Sequence, residues 1–226
     1  MPPPTDTPTD DPLTAEGFAV ATDVSRETIE RLEAYVALLD RWGRRINLVG
    51  RASMADVWRR HMLDSAQILP HLPADCRRLI DFGSGAGFPG LVLAILGVEG
   101  VELIESDGRK CAFLAEAARI TSTAVTIHNM RIESLTPFPA DVITARACAP
   151  LEKLLQYAEP FWATHTRLIA LKGAHVDKEL TEAAKYWIID VERSPSLTDP
   201  HAAVLSIRHL QHDKNHPDHG HSRQAG

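Results

Sequence analysis

The first third of the chain follows a helical pattern of apolar positions. Residues 25–42 carry apolar side chains every three or four positions, as an amphipathic helix does, and Ser25 is suited to cap its N-terminus. A second helix is predicted to begin near Ser53, where Ser-x-x-Asp resembles a capping box, and to end before Pro70. About fifty residues of helix therefore precede the first clear strand.

Beyond these helices, short apolar runs alternate with helical patterns. The predicted strands cover residues 78–82, 101–105, 124–129, 141–147 and 167–172, and the predicted helices cover 91–97, 108–120, 151–162 and about 176–186. Alternation of this kind indicates parallel βαβ units, and hence an α/β fold with a doubly wound sheet and helices on both faces. Two further strands, at 187–192 and 203–209, have no helix between them. They are predicted to form an antiparallel hairpin at the sheet edge, with 193–200 as a long turn.

The two ends of the chain lack this pattern. Residues 1–14 are rich in Pro, Thr and Asp, cannot bury enough apolar surface to fold, and have neither the basic nor the apolar region of a secretory signal. Residues 211–226 contain irregularly spaced histidines, which favour a flexible tail over a metal site. The predicted organisation is a leader over 1–14, a helical cap over 15–75, a main domain over 76–210 and a His-rich tail over 211–226.

Composition limits the classes of protein to consider. With 226 residues, 44% of them hydrophobic, the chain can form one sizeable α/β domain, and no apolar run approaches the roughly 20 residues of a membrane span. The three cysteines are isolated and lack the C-x-x-C spacing of zinc sites. We therefore predict a cytoplasmic protein, monomeric, with no membrane and no metal.

A net charge of −6 hides a strongly basic segment. Residues 41–60 contain six arginines against one acidic residue, Asp56. A phosphate-binding face requires local positive charge and not global positive charge, so a nucleic-acid partner stays possible. The alternative is a solvated arginine-rich surface.

The glycine-rich stretch LIDFGSGAGFPG, residues 79–90, joins a strand directly to a helix. Such a turn presents free backbone N–H groups at a helix N-terminus, and glycine lets a ligand approach the main chain closely. Gly85, Gly87 and Gly90 fit the G-x-G-x-x-G pattern of nucleotide-binding turns. The alternative is a tight turn that holds no ligand.

Three features favour S-adenosylmethionine over a dinucleotide. The carboxylate of Asp81, two residues before Gly83, can pair with the ammonium of the cofactor's methionine part, directly or through water, but would repel a pyrophosphate. A nicotinamide-binding fold usually begins with this strand, whereas here nearly eighty residues precede it. The hairpin that ends the sheet suits the methyltransferase version of the fold.

Two later strand ends offer contacts to a nucleoside. Glu105 ends the second strand, where a carboxylate binds the ribose hydroxyls in either class of cofactor. Ile132 and Glu133 follow the third strand and would lie beside the adenine. A solvated strand end and a plain surface loop are the respective alternatives.

The stretches WGRRINLV, RHMLDS, DFGSGAGFPG, ESDGRKCAFL, RIE, TARACAPL and IALKG occur in one order. Together they resemble the bacterial 16S ribosomal RNA guanine-N7 methyltransferases, the glucose-inhibited division protein B family, over essentially the whole ordered chain. The resemblance implies a class I Rossmann-like methyltransferase fold, with a mostly parallel seven-stranded sheet and an N-terminal helical cap. It also implies methyl transfer to guanine N7 in the 530 loop, position 527 in standard rRNA numbering. The partner is then 16S ribosomal RNA or the small ribosomal subunit.

The resemblance also assigns site residues. It implies cofactor contacts from Gly83, Phe88, Ile132, Glu133 and Arg146, which join Asp81, Gly85, Gly87 and Glu105 from the turn itself. It places Arg146 and Lys172 near the cofactor's methyl end. One departure is Gly43, where the family often has Asn, although Asn47 matches a second asparagine of the family pattern.

Guanine N7 carries an in-plane lone pair and is unprotonated at neutral pH, so methylation there needs no general base. The enzyme's tasks are positioning and electrostatics. Arg146 and Lys172, the two predicted catalytic residues, are accordingly expected to orient the base or grip phosphate. A structural ion pair for Arg146 and a solvated strand-end position for Lys172 are the alternatives.

The predicted RNA-binding residues belong to the cap: Arg44, Arg45, Asn47, Arg60, His61 and Ser65. His61 and Ser65 are four positions apart and share a helix face. A buried, hydrogen-bonding histidine that pins the cap to the main domain explains His61 equally well, and Phe88 can belong to the core instead of the cofactor site.

Other functions remain open on the sequence alone. The first is an S-adenosylmethionine-dependent methyltransferase that acts on a different RNA or on a small molecule. A nicotinamide-dependent oxidoreductase is disfavoured by Asp81 and by the late position of the glycine turn. A non-catalytic RNA-binding module would bind RNA without cofactor.

Overall fold

The computed structural model describes residues 11–213, and its N-terminal part is helical. Helix α2 spans Arg26–Gly43, and Ser25 caps it as predicted, its side chain accepting a hydrogen bond from the Thr28 backbone N–H. Leu32 and Leu39 of its apolar stripe are fully buried, and the flanking stripe residues Ile29, Val36 and Trp42 are half-buried against the same core. The amphipathic pattern thus defines both the helix and the face that it packs inward.

A helix that the pattern does not predict precedes it. Helix α1 spans Ala15–Thr22, is capped by Thr14 and buries Phe18. Its run of small residues carries too weak a periodicity to be recognised. The ordered structure begins before the predicted boundary at residue 14, because the Leu13 backbone donates to Asp56 and Arg59 donates to the Asp11 carbonyl. Residues 1–10 of the predicted leader lie outside the described residues.

The second half of the cap is irregular. The predicted capping box at Ser53 is wrong: helix α3 spans Arg51–Met54 with Gly50 at its N-cap, and the Ser53 hydroxyl donates back to the Gly50 carbonyl. A π-helix over Trp58–Leu63, helix α4 over Asp64–Ala66 and a 3-10 turn over Leu69–His71 follow. The wider π-turn is typical of functional segments, and this one includes two predicted site residues, Arg60 and His61.

The main domain has a seven-stranded sheet. The strands are β1 Leu79–Phe82, β2 Val101–Glu105, β3 Thr126–Asn129, β4 Val142–Arg146, β5 Arg167–Lys172, β6 Trp187–Pro195 and β7 Ala203–His212. Their order is β3-β2-β1-β4-β5-β7-β6, with parallel pairs from β3 to β5 and antiparallel pairs from β5 to β6. The predicted fold class and edge hairpin are confirmed. The hairpin arms are longer than predicted, so the turn covers only residues 196–202, and β7 extends two residues into the predicted tail.

Helices cover both faces of the sheet. Helices α5 Gly90–Ile95, α6 Gly108–Ile120, α7 Leu151–Ala158 and α8 Val176–Ala183 connect successive strands. One core cluster joins α5 and α6 to the cap, and a second joins α7 and α8 to the opposite face. The cap is therefore an additional layer on the α5–α6 side, where α2 packs against both helices.

Two polar contacts fix the cap to the main domain. The buried Tyr35 hydroxyl of α2 donates to the carbonyl of Ala86, inside the glycine turn. Arg31 donates to the Thr121 carbonyl at 2.7 Å and to the Thr123 hydroxyl at 2.9 Å, at the C-terminus of α6. A cation is favourable at a helix C-terminus, so this contact adds a charge–dipole interaction. Over residues 11–213 no helix is long and apolar enough to span a membrane.

Candidate active site

The glycine turn follows β1, and its first two glycines need left-handed backbone. Gly83 has φ +63° and Gly85 has φ +57°, angles that cost other residues energy. A Cβ at Gly83 would lie 2.8 Å from the sulfur of Cys148, which is closer than atoms can pack. These two positions keep the main chain bare where β1 faces the loop after β4.

The other two glycines of the turn serve packing. A Cβ at Gly87 would lie 2.8 Å from the Tyr35 hydroxyl, and one at Gly90 would lie 2.5 Å from Leu103. Gly87 was predicted to contact a cofactor, but it is buried against the cap helix. Half of the glycine pattern therefore reflects close packing of the turn with the cap and the sheet.

A crevice of about 250 Å³ opens beside the turn at the carboxyl ends of β1, β2 and β4. Four predicted cofactor residues line it: Gly83, Glu105, Ile132 and Glu133. Residues that were not named individually from the sequence complete the wall: Ile104, Ser106, Met130, Arg131, Ala147, Cys148 and Tyr157. Of these, Ser106, Arg131, Ala147 and Cys148 lie in stretches that carry the family resemblance. In parallel α/β sheets this edge is where ligands bind.

Glu105 closes one end of the crevice. Its Oε2 accepts from the Gly85 backbone N–H at 2.9 Å, and its Oε1 accepts from the Asp107 N–H at 2.8 Å. A carboxylate oxygen can accept a second hydrogen bond, so both oxygens keep capacity for ribose hydroxyls. The bare turn at Gly83, this carboxylate and the apolar side chain of Ile132 fit a nucleoside such as that of S-adenosylmethionine.

Two predicted cofactor residues are buried and do not line the crevice. Asp81 is fully buried, and its Oδ1 accepts from the Thr144 hydroxyl at 2.8 Å. Burial raises the pKa of Asp81 to about 6, although hydrogen bonds lower it in part. Phe88 is 3% exposed and packs with Tyr35, at 5.6 Å between ring centroids, which is the core position left open by the sequence.

A second cavity, of about 810 Å³, lies between the cap, β4, β5 and the β6–β7 turn. Four residues predicted to bind RNA or to assist catalysis line it: Arg60, His61, Arg146 and Lys172. The sequence did not indicate several polar residues of its wall, namely Asp64, Glu179, Ser196, Thr198 and Asp199. Of these residues, only Asp64 lies in one of the stretches that carry the family resemblance, RHMLDS.

Each cation of the second cavity faces a carboxylate. Arg146 donates to Asp64 at 3.2 Å, and Lys172 donates to Glu179 at 2.8 Å. Arg60 lies 4.0 Å from Asp199 at the more exposed rim. Lys172 is 8% exposed, so the solvated alternative for this residue is wrong. Arg146 does form an ion pair, and its predicted role at the methyl end stays a prediction.

The β6–β7 turn is anchored to the cap at the cavity wall. The Gln67 side chain accepts from the Leu197 backbone N–H at 2.8 Å, and Asp64 accepts from the Thr198 hydroxyl at 2.7 Å. Asp64 thus joins the cap, Arg146 on β4 and this turn. It acts as the common acceptor of three chain segments far apart in the sequence.

His61 is buried between the cap and the glycine turn. Its ring stacks on Phe88 at 4.6 Å, and Arg146 lies over the same phenyl ring at 4.7 Å. Within residues 11–213 neither ring nitrogen has a hydrogen-bond partner. Burial, with the nearby arginines, lowers the pKa of His61 to about 3, so the ring is neutral. The pinning role is therefore achieved by stacking and not by hydrogen bonding.

The other predicted RNA-binding residues lie apart from the cavity. Arg44, Arg45 and Asn47 are exposed at and after the end of α2, and Arg44 pairs with Asp40 at 2.7 Å. Ser65 was expected on an RNA-facing surface, but it has no exposed area, and its hydroxyl donates to the His61 carbonyl. The Ser65 hydroxyl therefore has its hydrogen-bond partner within its own helical segment.

The crevice and the second cavity share a wall. Ala147 and Cys148, directly after β4, border both spaces, and Ala147 has φ +51°. Burial raises the pKa of the Cys148 thiol to about 11, so the thiol stays protonated at neutral pH. A ligand in the crevice and a substrate in the second cavity would meet at this point.

Comparison with known proteins identifies the family. A protein-family model described as rRNA small subunit methyltransferase G, GidB, matches residues 28–210. The chain belongs to this family. Ribosomal RNA small subunit methyltransferase G of Rhodospirillum rubrum is 57% identical over 195 residues, which cover 86% of this chain and 97% of that protein. The protein of the same name from Paramagnetospirillum magneticum is 52% identical, with 89% and 98% covered.

Solved structures support the fold. A putative O-methyltransferase from Klebsiella pneumoniae has a TM-score of 0.57 at 12% identity, covering 85% of this chain and 94% of that one. The magnesium protoporphyrin IX methyltransferase from Synechocystis, solved with bound SAM, has a TM-score of 0.52 at 18% identity, with 82% and 98% covered. The predicted family and the predicted Rossmann-like methyltransferase fold are confirmed.

Proposed function

We propose that this protein transfers a methyl group from S-adenosylmethionine to N7 of a guanine in the 530 loop of 16S ribosomal RNA. Membership of the family makes S-adenosylmethionine the cofactor and ribosomal RNA methylation the reaction class. The guanine, its N7 atom and the 530 loop are the finer part of the proposal.

The observation that carries this proposal is the shared wall at Ala147 and Cys148. When bound in the crevice, S-adenosylmethionine supplies an electrophilic methyl on a sulfonium. Gly83, Glu105 and Ile132 are the residues that would hold its nucleoside. Arg146 and Lys172 border the opposite space, where they would orient the acceptor base.

The acid–base properties of the second cavity favour an acceptor that has no proton to lose. His61 has a pKa lowered to about 3 by burial, so it is a poor base at neutral pH. The Cys148 thiol, with its pKa raised to about 11, is neither a base nor a nucleophile there. Asp64 and Glu179 each accept a hydrogen bond from a paired cation. Guanine N7 is already a free lone pair and needs none of these groups.

The basic surface supports a large RNA substrate. Arg44 and Arg45 are exposed on the cap, a few residues before Leu48 and Val49, which line the second cavity. Exposed arginines contact phosphates without reading sequence, whereas buried cations can orient a single base. The two groups would therefore divide the work of binding RNA and presenting one guanine.

Mapping N7-methylguanine in 16S ribosomal RNA tests the proposal. Cells that lack the gene should lose one N7-methylguanine in the 530 loop, seen as a missing chemical cleavage after reduction. The wild-type gene should restore it, and an Arg146→Ala gene expressed at the same level should not. A persistent modification in the deletion strain, or restoration at another nucleotide, would contradict the assignment.

A further inference from the structure

The carboxylate of Glu179 has one oxygen committed and one open. Its Oε2 accepts from Lys172 Nζ at 2.8 Å and from the Leu151 backbone N–H at 2.7 Å. Among residues 11–213 no partner is recorded for Oε1. The side chain is 25% exposed and forms part of the wall of the second cavity. Glu179 also lines a smaller cavity beside α7 and α8, so Oε1 is an unused acceptor on a side chain that borders both spaces.

The neighbouring ammonium supplies a donor. Lys172 Nζ gives one hydrogen bond to Glu179 and one to the Ala149 carbonyl, each at 2.8 Å. An ammonium has three N–H groups, so one remains for a ligand. Because Ala149 follows Cys148 directly, this donor–acceptor pair is tied to the wall shared with the crevice.

The Lys172 ammonium as donor and Glu179 Oε1 as acceptor are together complementary to one edge of guanine. Guanine presents the acceptor O6 next to the donors N1–H and the N2 amino group, whereas adenine presents a donor, N6, next to the acceptor N1. We propose that Lys172 and Glu179 together select guanine: the ammonium donates to O6, and Oε1 accepts from N1–H and the N2 amino group. O6 lies between N7 and N1, so these contacts leave N7 free to face Ala147 and Cys148.

The other carboxylates of the cavity are less suited to this task. Asp64 accepts from Gln67 and Thr198 through Oδ1 and from Arg146 through Oδ2. Asp199 is 39% exposed at the rim and accepts from the His201 backbone N–H. Glu179 differs from both, because within residues 11–213 its Oε1 has no hydrogen-bond partner and the carboxylate lies beside the remaining N–H of Lys172. A site built to hydrogen-bond a donor rejects an analogue that lacks it.

The inference rests on the proposed function. Replacing the acceptor guanosine by inosine tests whether Glu179 accepts from the N2 amino group. Inosine keeps N7, O6 and N1–H but lacks the N2 amino group. Small ribosomal subunits would be reconstituted with ligated 16S ribosomal RNA that carries either guanosine or inosine at the acceptor position. For the wild-type protein, we expect kcat/KM of methyl transfer to be about 10-fold or more lower on inosine. Equal rates on the two subunits would overturn the inference without any variant.

Glu179→Gln then tests which residue discriminates. In this variant the amide oxygen would accept from Lys172 and Leu151, so the amide NH2 would face the N1–H donor of guanine. Methylation of the guanosine subunit should therefore fall, and the ratio of the kcat/KM values on guanosine and inosine subunits should approach one. Glu182→Gln is the matched control, since Glu182 lies on the same helix and pairs with Lys185 at the half-exposed surface. This control should keep the wild-type ratio.

Glu179 also caps α7 through the Leu151 N–H, so a purely structural role must be separated from recognition. If the role of Glu179 is only structural, Glu179→Gln should lower methylation equally on both subunits, leave the guanosine-to-inosine ratio of kcat/KM unchanged and weaken binding of S-adenosylhomocysteine. That result would overturn the inference but not the proposed function. No transfer by the wild-type protein to the guanosine subunit would instead overturn the proposed function, and the inference with it.

Discussion

The crevice beside the glycine turn and the second cavity meet at two residues, yet they are built differently. The crevice is made by backbone at strand ends: the left-handed turn at Gly83, the loop after β3 and a carboxylate held by two main-chain N–H groups. The second cavity is made by side chains from the cap, β4, β5 and the β6–β7 turn, which are joined by ion pairs.

This difference determines what each space can do. Backbone at the carboxyl edge of a parallel sheet changes little between related proteins, so it suits a cofactor of fixed shape. A wall of paired side chains can be altered one residue at a time, so it suits the choice of substrate. Substitutions should therefore separate cofactor binding from methyl transfer.

The largest effect is expected from Gly83→Asp. The new side chain would strain a backbone at φ +63°, collide with Cys148 and add negative charge beside Glu105. Affinity for S-adenosylhomocysteine, measured by calorimetry, should fall by at least about 100-fold, or 2.7 kcal/mol. Gly97→Asp is the control, because Gly97 has φ +102° with no atom near its Cβ position. Unchanged binding by the Gly83 variant would refute the crevice as the cofactor site.

Arg146→Ala should give the next largest effect, and it should act through the second cavity and not through the crevice. It removes the cation that Asp64 and the Phe88 ring hold in the second cavity. We expect kcat/KM for RNA methylation to fall about 100-fold, with the Kd of S-adenosylhomocysteine changed less than about 3-fold. Arg193→Ala, which breaks an exposed pair with Asp177, should alter neither quantity. A parallel loss of cofactor affinity would mean that the two spaces do not act separately.

Reversing the charge of Arg44 and Arg45 to Glu should have a smaller effect. Both residues are exposed on the cap and can contact phosphates. RNA methylation should weaken about 10-fold at moderate salt and lose part of its salt dependence, while cofactor affinity stays constant. The control reverses Arg77 and Arg208, exposed residues away from both cavities. Equal effects of the two double variants would show that only net charge matters.

Asp81→Asn should have the smallest effect on methyl transfer through the second cavity, and it instead changes the stability of the fold, with an unusual sign. Burial raises the pKa of Asp81 from 3.8 to about 6, so the folded protein binds this proton more tightly than the unfolded chain. The tighter binding of this proton stabilises the folded protein fully below pH 3.8, and the stabilisation is lost as pH rises through about 6. The loss amounts to about 3 kcal/mol by pH 8.

The variant cannot lose that proton, so its free energy of unfolding at pH 8 should be about 1–3 kcal/mol higher. Urea denaturation at pH 5 and pH 8 measures the change, and Asp190→Asn, at an exposed position of β6, is the control. Cofactor affinity should fall in the Asp81 variant if the carboxylate attracts the cofactor's ammonium. Stability curves with the same pH dependence in variant and wild type would contradict the shifted pKa.

Much of the fold follows from the sequence because its signals are local. The strand at 101–105 and the helix at 108–120 have the bounds predicted from apolar spacing. The crevice residues Gly83 and Glu105 follow from their positions at strand ends. Helix α1 has no comparable pattern, because only Phe18 and Ala15 are buried along its eight residues.

The second cavity was only partly predictable because its wall is formed by tertiary contacts. Asp64 meets Arg146 across 82 positions, and Gln67 meets Leu197 across 130. No local spacing indicates such pairs. Glu179 lies in an ordinary helical pattern, and only its ion pair with Lys172 in the folded protein distinguishes it from its neighbours.

The thin partition of Ala147 and Cys148 has a consequence for inhibitors. Two weakly bound fragments, one on each side of this partition, could be joined by a linker of only a few atoms. The second fragment would then bind at a high effective concentration, and the affinity of the joined compound would exceed that of either piece. Selectivity would come from the fragment among the ion pairs, since the other half would face backbone that many methyltransferases share.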